Sequence, residues 1–226
     1  MPVPTMQVPI ASRMIDKQLL GDSIYERLLS DIILGRYMPE ERLNVDAIAE
    51  EFGVSRTPVR EAIIRLSSAG FVEVVRNSRT QVAEWSAADM RDRLEVGGRL
   101  VCLVIRDSRL DLSRLVGSTQ ALGLDPTPTA DTTAFLDFVE RIINNGSNAI
   151  ADTVLFDLMA PLRLFFREEV IERHQIDLAG ASHSRTRRLI TAMDAVAAGR
   201  AGEAQQLLDA YVMQLASAVW PKPEDD

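Results

Sequence analysis

Apolar residues recur at three- and four-residue spacing through most of this chain, the pattern of amphipathic helices. Over residues 22–35 (DSIYERLLSDIILG), Ile24, Leu28 and Ile32 make one apolar face, with Leu29 and Ile33 beside it. Asp22 or Ser23 suits the helix start and Gly35 the stop. Residues 44–52 (NVDAIAEEF) predict a short helix with Ile48, Ala49 and Phe52 inward. Residues 53–71 (GVSRTPVREAIIRLSSAGF) predict a turn and a third helix. Gly53 breaks the preceding pattern, and the Ser55 hydroxyl can accept a first-turn N–H. Pro58 falls in that first turn, where a missing N–H costs nothing, and Gly70 closes the helix. Val59, Ile63 and Leu66, with Ala62, are its apolar stripe. FVEVV and TQVAEW then flank the polar RNSR: two short strands around a tip, a β-hairpin wing.

Beyond residue 85 no period-two alternation remains. Trp85 to Ala88 reads as a linker, with Ser86 as the next cap and Asp89 in the first turn. Helices are expected over 87–107, 111–121, 128–145, 147–170 with a kink at Pro161, 182–199 and 201–218. Six or seven antiparallel helices of this length make a bundle, an architecture that encloses small-molecule sites between helices. The predicted fold is therefore mostly α. A winged helix-turn-helix (20–85) precedes an all-α antiparallel bundle (86–220), between a loose proline-bearing arm (1–19) and a short tail (221–226).

On the third helix, opposite the apolar stripe, stand Arg56, Thr57, Arg60 and Arg65. Arginines and a threonine on a helix that follows a tight turn suit the second helix of a helix-turn-helix, which enters the major groove of DNA by its N-terminal residues. The net charge of −8 runs against such a partner until it is apportioned. Residues 55–80 hold five arginines against Glu61 and Glu73, so positive charge is concentrated on the proposed face. Affinity follows local phosphate neutralisation, and an acidic remainder reduces non-specific binding. One such face is modest, which predicts a homodimer on a two-fold site.

Composition excludes other classes. No run of 18 apolar residues exists to span a membrane, and the N-terminus has no secretory pattern. A single cysteine, Cys102, within the apolar run RLVCLVI, excludes an internal disulfide and reads as core packing in a cytoplasmic protein. There is no Gly-rich phosphate loop, no His/Asp pair with a nucleophile and no ligand cluster, so no catalytic residue is assigned and an enzyme with an appended DNA-binding head is disfavoured.

The run LNVDAIAEEFGVSRTPVREAIIRLSSAGFVEV resembles the DNA-binding domain of the GntR family of bacterial transcription regulators, over roughly residues 20–85. The resemblance implies that Arg56 and Arg60 meet base edges or nearby phosphates, that Thr57 touches phosphate and that Arg76 on the wing reaches the minor groove. The implied DNA-binding set is Ser55, Arg56, Thr57, Arg60, Arg65 and Arg76. Two departures stand out: Val45 replaces a usually polar residue, and Asp46 stands where some members carry a DNA-contacting arginine. The wing tip is Asn77-Ser78 instead of glycine, and Asn tolerates positive φ there. The helical half resembles the FCD effector domain of the FadR-like subgroup, through DMRDRLEVGGRL, FVERIINNGSNAI and AVAAGRAGEAQQLLDAYVMQL.

Many members of that subgroup hold a divalent metal with one Asp and three His. Aligned on the turn at 146–148, Phe135 takes the place of the Asp and Val139 that of the first His; the second His position falls near Thr186 or Leu189 and the third near Met213 or Gln214. The chain has only two histidines, His174 and His183, read as loop or helix-end residues. No metal and no cofactor are therefore expected in the family site, a site built from His183, Asp131 or Asp137 being the alternative. Gly97-Gly98 costs roughly 1 kcal/mol per residue in a helix against alanine, and is kept where a backbone or ligand comes close or the helix bends. This predicts an apolar effector pocket drawn from Gly97, Val101, Phe135, Phe138, Val139, Met159 and Met193, for an apolar or acyl-type effector. Arg163, Arg167 and the run Arg185-Thr186-Arg187-Arg188 read as a solvated face or as partners of Glu168, Glu169 and Glu172, with contact to an anionic ligand group as the alternative. The expected function is a ligand-responsive repressor that binds a palindromic double-stranded operator as a homodimer. The alternative is a constitutive architectural factor whose bundle serves only dimerisation.

Overall fold

The structure, a computed structural model, describes residues 10–75, 79–106, 127–146 and 148–219, with side chains from residue 20 onward apart from that of Val75. It divides into two compact units, Met1–Glu84 and Trp85–Asp226. The helix expected over 111–121, Arg76 and the wing tip lie outside the described residues.

In the first unit, α1 (Ile10–Ile33) and α2 (Val45–Glu51) both pack on α3 (Arg56–Ser68). Ile24, Leu28 and Ile32 of α1 meet Val59, Ala62, Ile63 and Leu66 of α3, all buried. Each of these Val, Leu and Ile side chains contributes about 1.5–3 kcal/mol by burial. α1 starts well before residue 22, so part of the segment read as a loose arm is helical; Gly21 sits inside the helix and does not stop it. α2 is capped by Asn44, whose Oδ1 accepts from Asp46 N and Ala47 N at 2.9 and 3.3 Å. β1 (Val72–Val75) and β2 (Arg79–Val82) form an antiparallel hairpin with Val72 opposite Val82. A third strip of chain, which the sequence pattern does not mark, lies alongside it: Glu40 N donates to Val82 O, Val82 N to Glu41 O, and Leu43 N to Thr80 O. The left-handed backbone at Glu40 (φ 66) turns the chain into this position.

The second unit is a helical bundle. α4 (Ala87–Val104) packs on α6 (Ala149–Phe165) and α9 (Ala201–Val219); α5 (Ala130–Asn145) packs on α6 and α8 (Ser182–Ala197); α8 packs on α9. Ser86 opens α4 with a capping box: its Oγ accepts from Asp89 N at 3.1 Å, and the Asp89 carboxylate accepts from Ser86 N at 3.2 Å. Cys102 is buried on α4, and burial pushes its thiol up to about 11. It is a thiol at neutral pH.

The helix expected over 147–170 is two pieces, α6 and the short α7 (Glu168–Arg173), and the break lies beyond Pro161. Pro161 has no N–H for the carbonyl of Asp157 one turn earlier. Arg93 Nη1 of α4 donates to that carbonyl at 2.7 Å, so the helix continues to Phe165.

Candidate nucleic-acid interface

The start of α3 is held by its buried face and left open on the other. Ser55 takes the N-cap position with extended backbone (φ −74, ψ 163), but its hydroxyl accepts no first-turn N–H. The expected Ser55 cap is therefore not made, and the first-turn amides at this end have no side-chain cap. Pro58 is buried in the first turn, and Gly70 (φ +80) ends the helix as the sequence indicates. Ser55, Arg56, Thr57 and Arg60 are all exposed on the N-terminal half. A helix start with uncapped amides and two guanidiniums attracts phosphate through both its dipole and its charge.

Two arginines of this set have partners that sequence alone does not reveal. Arg56 Nε lies 2.8 Å from Asp46 Oδ1, with both side chains more than half exposed. Asp46 therefore does more than stand in place of an arginine: it sets a counter-charge against the start of α3. Arg65 stands nine residues after Arg56, about 13 Å along the axis. Its Nη1 donates to Asp22 Oδ1 at 2.7 Å and its guanidinium lies 4.1 Å from the centre of the Tyr25 ring, so α1 draws it away from the helix start. Ile64 is 63% exposed between these groups, an apolar residue on the open face that the stripe of Val59, Ile63 and Leu66 does not include.

In the second unit, Val101, Phe135, Phe138, Val139, Met159 and Met193 are all buried. The two glycines of α4 are explained by close packing. A Cβ at Gly97 would collide with the Met159 side chain, and one at Gly98 would come within 2.6 Å of Val212 Cγ1. The places that the FadR-like resemblance gives to metal ligands hold Phe135 and Val139, which have no donor atoms. Among the described residues no three His, Cys, Asp or Glu side chains gather into a metal-holding group. Asp131, one turn before Phe135, is engaged otherwise. It accepts from Arg185 Nε and Nη2 at 2.9 and 3.2 Å and from the Tyr211 hydroxyl at 3.0 Å, with all three residues fully buried. Arg185 Nη2 also donates to Leu178 O at 2.8 Å, and Phe135 packs on the Tyr211 ring at 5.2 Å between centres. Burial and the Asp131 charge push the Tyr211 phenol well above its ordinary range. Arg185 is thus no part of a solvated face. Arg163 pairs with Asp137 and Glu140 of α5, at 3.0 and 2.7 Å, instead of the glutamates of α7.

Residues 20–82 match the sequence profile described as bacterial regulatory proteins, gntR family. The N-terminal unit is a GntR-family DNA-binding domain. The HTH-type transcriptional regulator Mce2R of Mycobacterium tuberculosis is 27% identical over 173 residues, covering 66% of this chain and 72% of that one. The HTH-type transcriptional repressor RspR of Escherichia coli is 30% identical over 89 residues, 39% of each chain. A crystal structure of a GntR transcriptional regulator from Rhodococcus sp. RHA1 shares the fold, with a TM-score of 0.71 at 24% identity over 90% of this chain and 98% of that one. The chain is thus similar to helix-turn-helix transcription regulators, with the gntR-type domain at residues 20–82. No described helix is long and apolar enough to cross a membrane.

Proposed function

We propose that this GntR-type regulator is a repressor of the FadR-like subgroup that binds a palindromic operator as a homodimer and releases it when a small molecule binds in an FCD-type helical domain. The DNA-binding head is residues 20–85 and the effector and dimerisation domain is residues 86–220. The observation that carries this reading is the open start of α3, where Ser55, Arg56, Thr57 and Arg60 are exposed together beside uncapped amides. Arg56 and Arg60 read base edges, Thr57 and Ser55 meet phosphate, and Arg76 extends the interface from the wing. RspR is a repressor by name, which supports the sign of regulation by analogy. Effector control is a shift between dimer geometries and needs different effector affinity in each. Phe135 and Val139 do not fit the subgroup's metal, so no step passes through one.

The test is operator binding by Arg60→Ala, on a site recovered by in vitro selection with the intact chain. Removing one bidentate base contact costs about 1–3 kcal/mol and relaxes specificity at that base pair. Full affinity and unchanged specificity in Arg60→Ala would remove α3 as the reading helix. The dense packing of Phe135 on Tyr211 and of Met159 on Gly97 favours one second reading, a dimeric DNA-binding factor without an interior effector.

A further inference from the structure

We infer that the outer face of α4 is the surface on which two copies of this chain pair, antiparallel about a two-fold axis that passes close to residues 99 and 100. This rests on the homodimer of the reading above and gives it a surface and an orientation. On its inner side α4 turns Gly97 towards Met159 of α6 and Gly98 towards Val212 of α9. The opposite side is left uncovered: Asp92, Val96, Arg99 and Leu103, at three- and four-residue spacing on one stripe, are all exposed. Ile105, just past the end of α4, keeps helical backbone (φ −65, ψ −15), so the exposed Arg106 stays in line with them.

Three observations point to a second copy as the occupant. The first is apolar exposure. Val96 is 52% and Leu103 65% exposed, one heptad apart on the stripe. Of the five exposed large hydrophobic residues described in the second unit, four stand on α4 and on α6, which packs beside it; the α6 pair is Ile150 and Val154. The second is unpaired charge, of opposite sign at the two ends of the stripe. Arg91 pairs with Glu95, and Arg93 donates to the Asp157 carbonyl. Asp92 at one end and Arg106 at the other have no side-chain partner among the described residues.

The third is symmetry. In a two-fold pairing residue i meets residue j and j meets i, so a face recognises its own copy only if it is self-complementary. The stripe has that property. The antiparallel register that sets Val96 against Leu103 of the partner subunit also sets Asp92 against Arg106 of the partner subunit, because both pairs have their midpoint at residues 99 to 100. Each apolar contact and each ion pair then occurs twice. A parallel pair would instead set Asp92 and Arg106 each against its own copy, a repulsive arrangement. Arg99 lies nearest the axis and faces its own copy in the antiparallel pair, so it adds no attraction there.

The test is sedimentation equilibrium of the full-length protein and its variants, with helix content followed by circular dichroism. The wild type is expected to be a dimer. Leu103→Glu should weaken it by about tenfold or more at unchanged helix content, since the position is exposed in the free subunit. Asp92→Arg alone and Arg106→Asp alone should each weaken it by about tenfold or more, because the two-fold axis doubles every like-charge contact. An equimolar mixture of these two variants should regain a dimer as tight as the wild type, now as a heterodimer in which opposite charges meet at both ends. Misfolded subunits would not be rescued by mixing. Arg99→Ala should leave the dimer at least as tight as the wild type. Undiminished dimers in Leu103→Glu and Asp92→Arg, or no gain on mixing Asp92→Arg with Arg106→Asp, overturn the surface and leave the homodimer reading standing, α4 then being the docking face of another partner. A wild-type chain that stays monomeric up to about 100 µM overturns the surface and the homodimer together.

Discussion

Arg56 and Asp46 form an ion pair, 2.8 Å from Nε to Oδ1, across the turn between α2 and α3. The pair is exposed and contributes about 0–1 kcal/mol to stability. Its consequence is for DNA. An approaching phosphate must displace a carboxylate from Arg56 and is repelled by it, whereas an arginine at position 46 would attract. Asp46→Asn keeps the α2 geometry and removes the charge. It should raise affinity for random-sequence DNA severalfold and steepen the dependence of log K on log salt by about one unit, with less effect on the specific site. Fluorescence anisotropy over a salt series measures both; an unaltered slope would mean that Asp46 does not face the phosphates.

Arg65 shares the reading helix but not its environment. Asp22 and the Tyr25 ring engage it from α1, so its removal should weaken the attachment of α1 to α3. Arg65→Ala should cost about 0.5–1.5 kcal/mol in urea unfolding of the head, combining a half-exposed ion pair with a cation–π contact. Its effect on operator affinity should be smaller than that of Arg60→Ala. If the affinity loss equals that of Arg60→Ala while stability is unchanged, Arg65 leaves Asp22 to bind DNA.

These two arginines show where legibility from sequence ends. The ends of α3 are readable because Pro58 and Gly70 act on their own turns, and the apolar stripe because its period is local. The wing follows from alternation beside a polar tip. The partners of Arg56 and Arg65 are not readable, since they come from other helices, in the case of Asp22 from 43 residues away. The strip at 40–43 carries no alternation to mark it as a strand. In the bundle, helix spacing is plain, but Asp131 and Arg185 lie 54 residues apart and nothing local distinguishes Arg185 from its solvated neighbours. Gly97-Gly98 signals a close approach without saying of what, and the answer is Met159 and Val212.

The continuation of α6 through Pro161 depends on a residue 64 positions from the carbonyl it satisfies. Arg93→Ala should cost about 0.5–1.5 kcal/mol, the net value of a hydrogen bond at an exposed carbonyl that water then reaches. In a Pro161→Ala background a backbone N–H becomes available to that carbonyl, so the same Arg93→Ala change should cost less there. A double-mutant cycle on chemical unfolding reads this coupling directly. Strictly additive costs would show that Arg93 stabilises α4 by some other contact.

The buried Asp131–Arg185–Tyr211 group ties α5, α8 and α9 together. Two charges taken out of water stabilise each other only as a set, so its members should respond very differently to single and paired removal. Asp131→Ala strands a fully buried guanidinium and leaves the Tyr211 hydroxyl without its acceptor, a cost of about 3–5 kcal/mol. That is a large part of the roughly 5–15 kcal/mol typical of a whole domain. Asp131→Leu combined with Arg185→Met replaces the pair by apolar groups of similar reach and should cost far less than either single change. Urea midpoints of the bundle for the two singles and the double decide the matter. A double variant as unstable as the sum of its parts would mean that the carbonyls of Leu178 and Pro128, which Arg185 also satisfies, dominate, and that this corner of the bundle is held by the arginine alone.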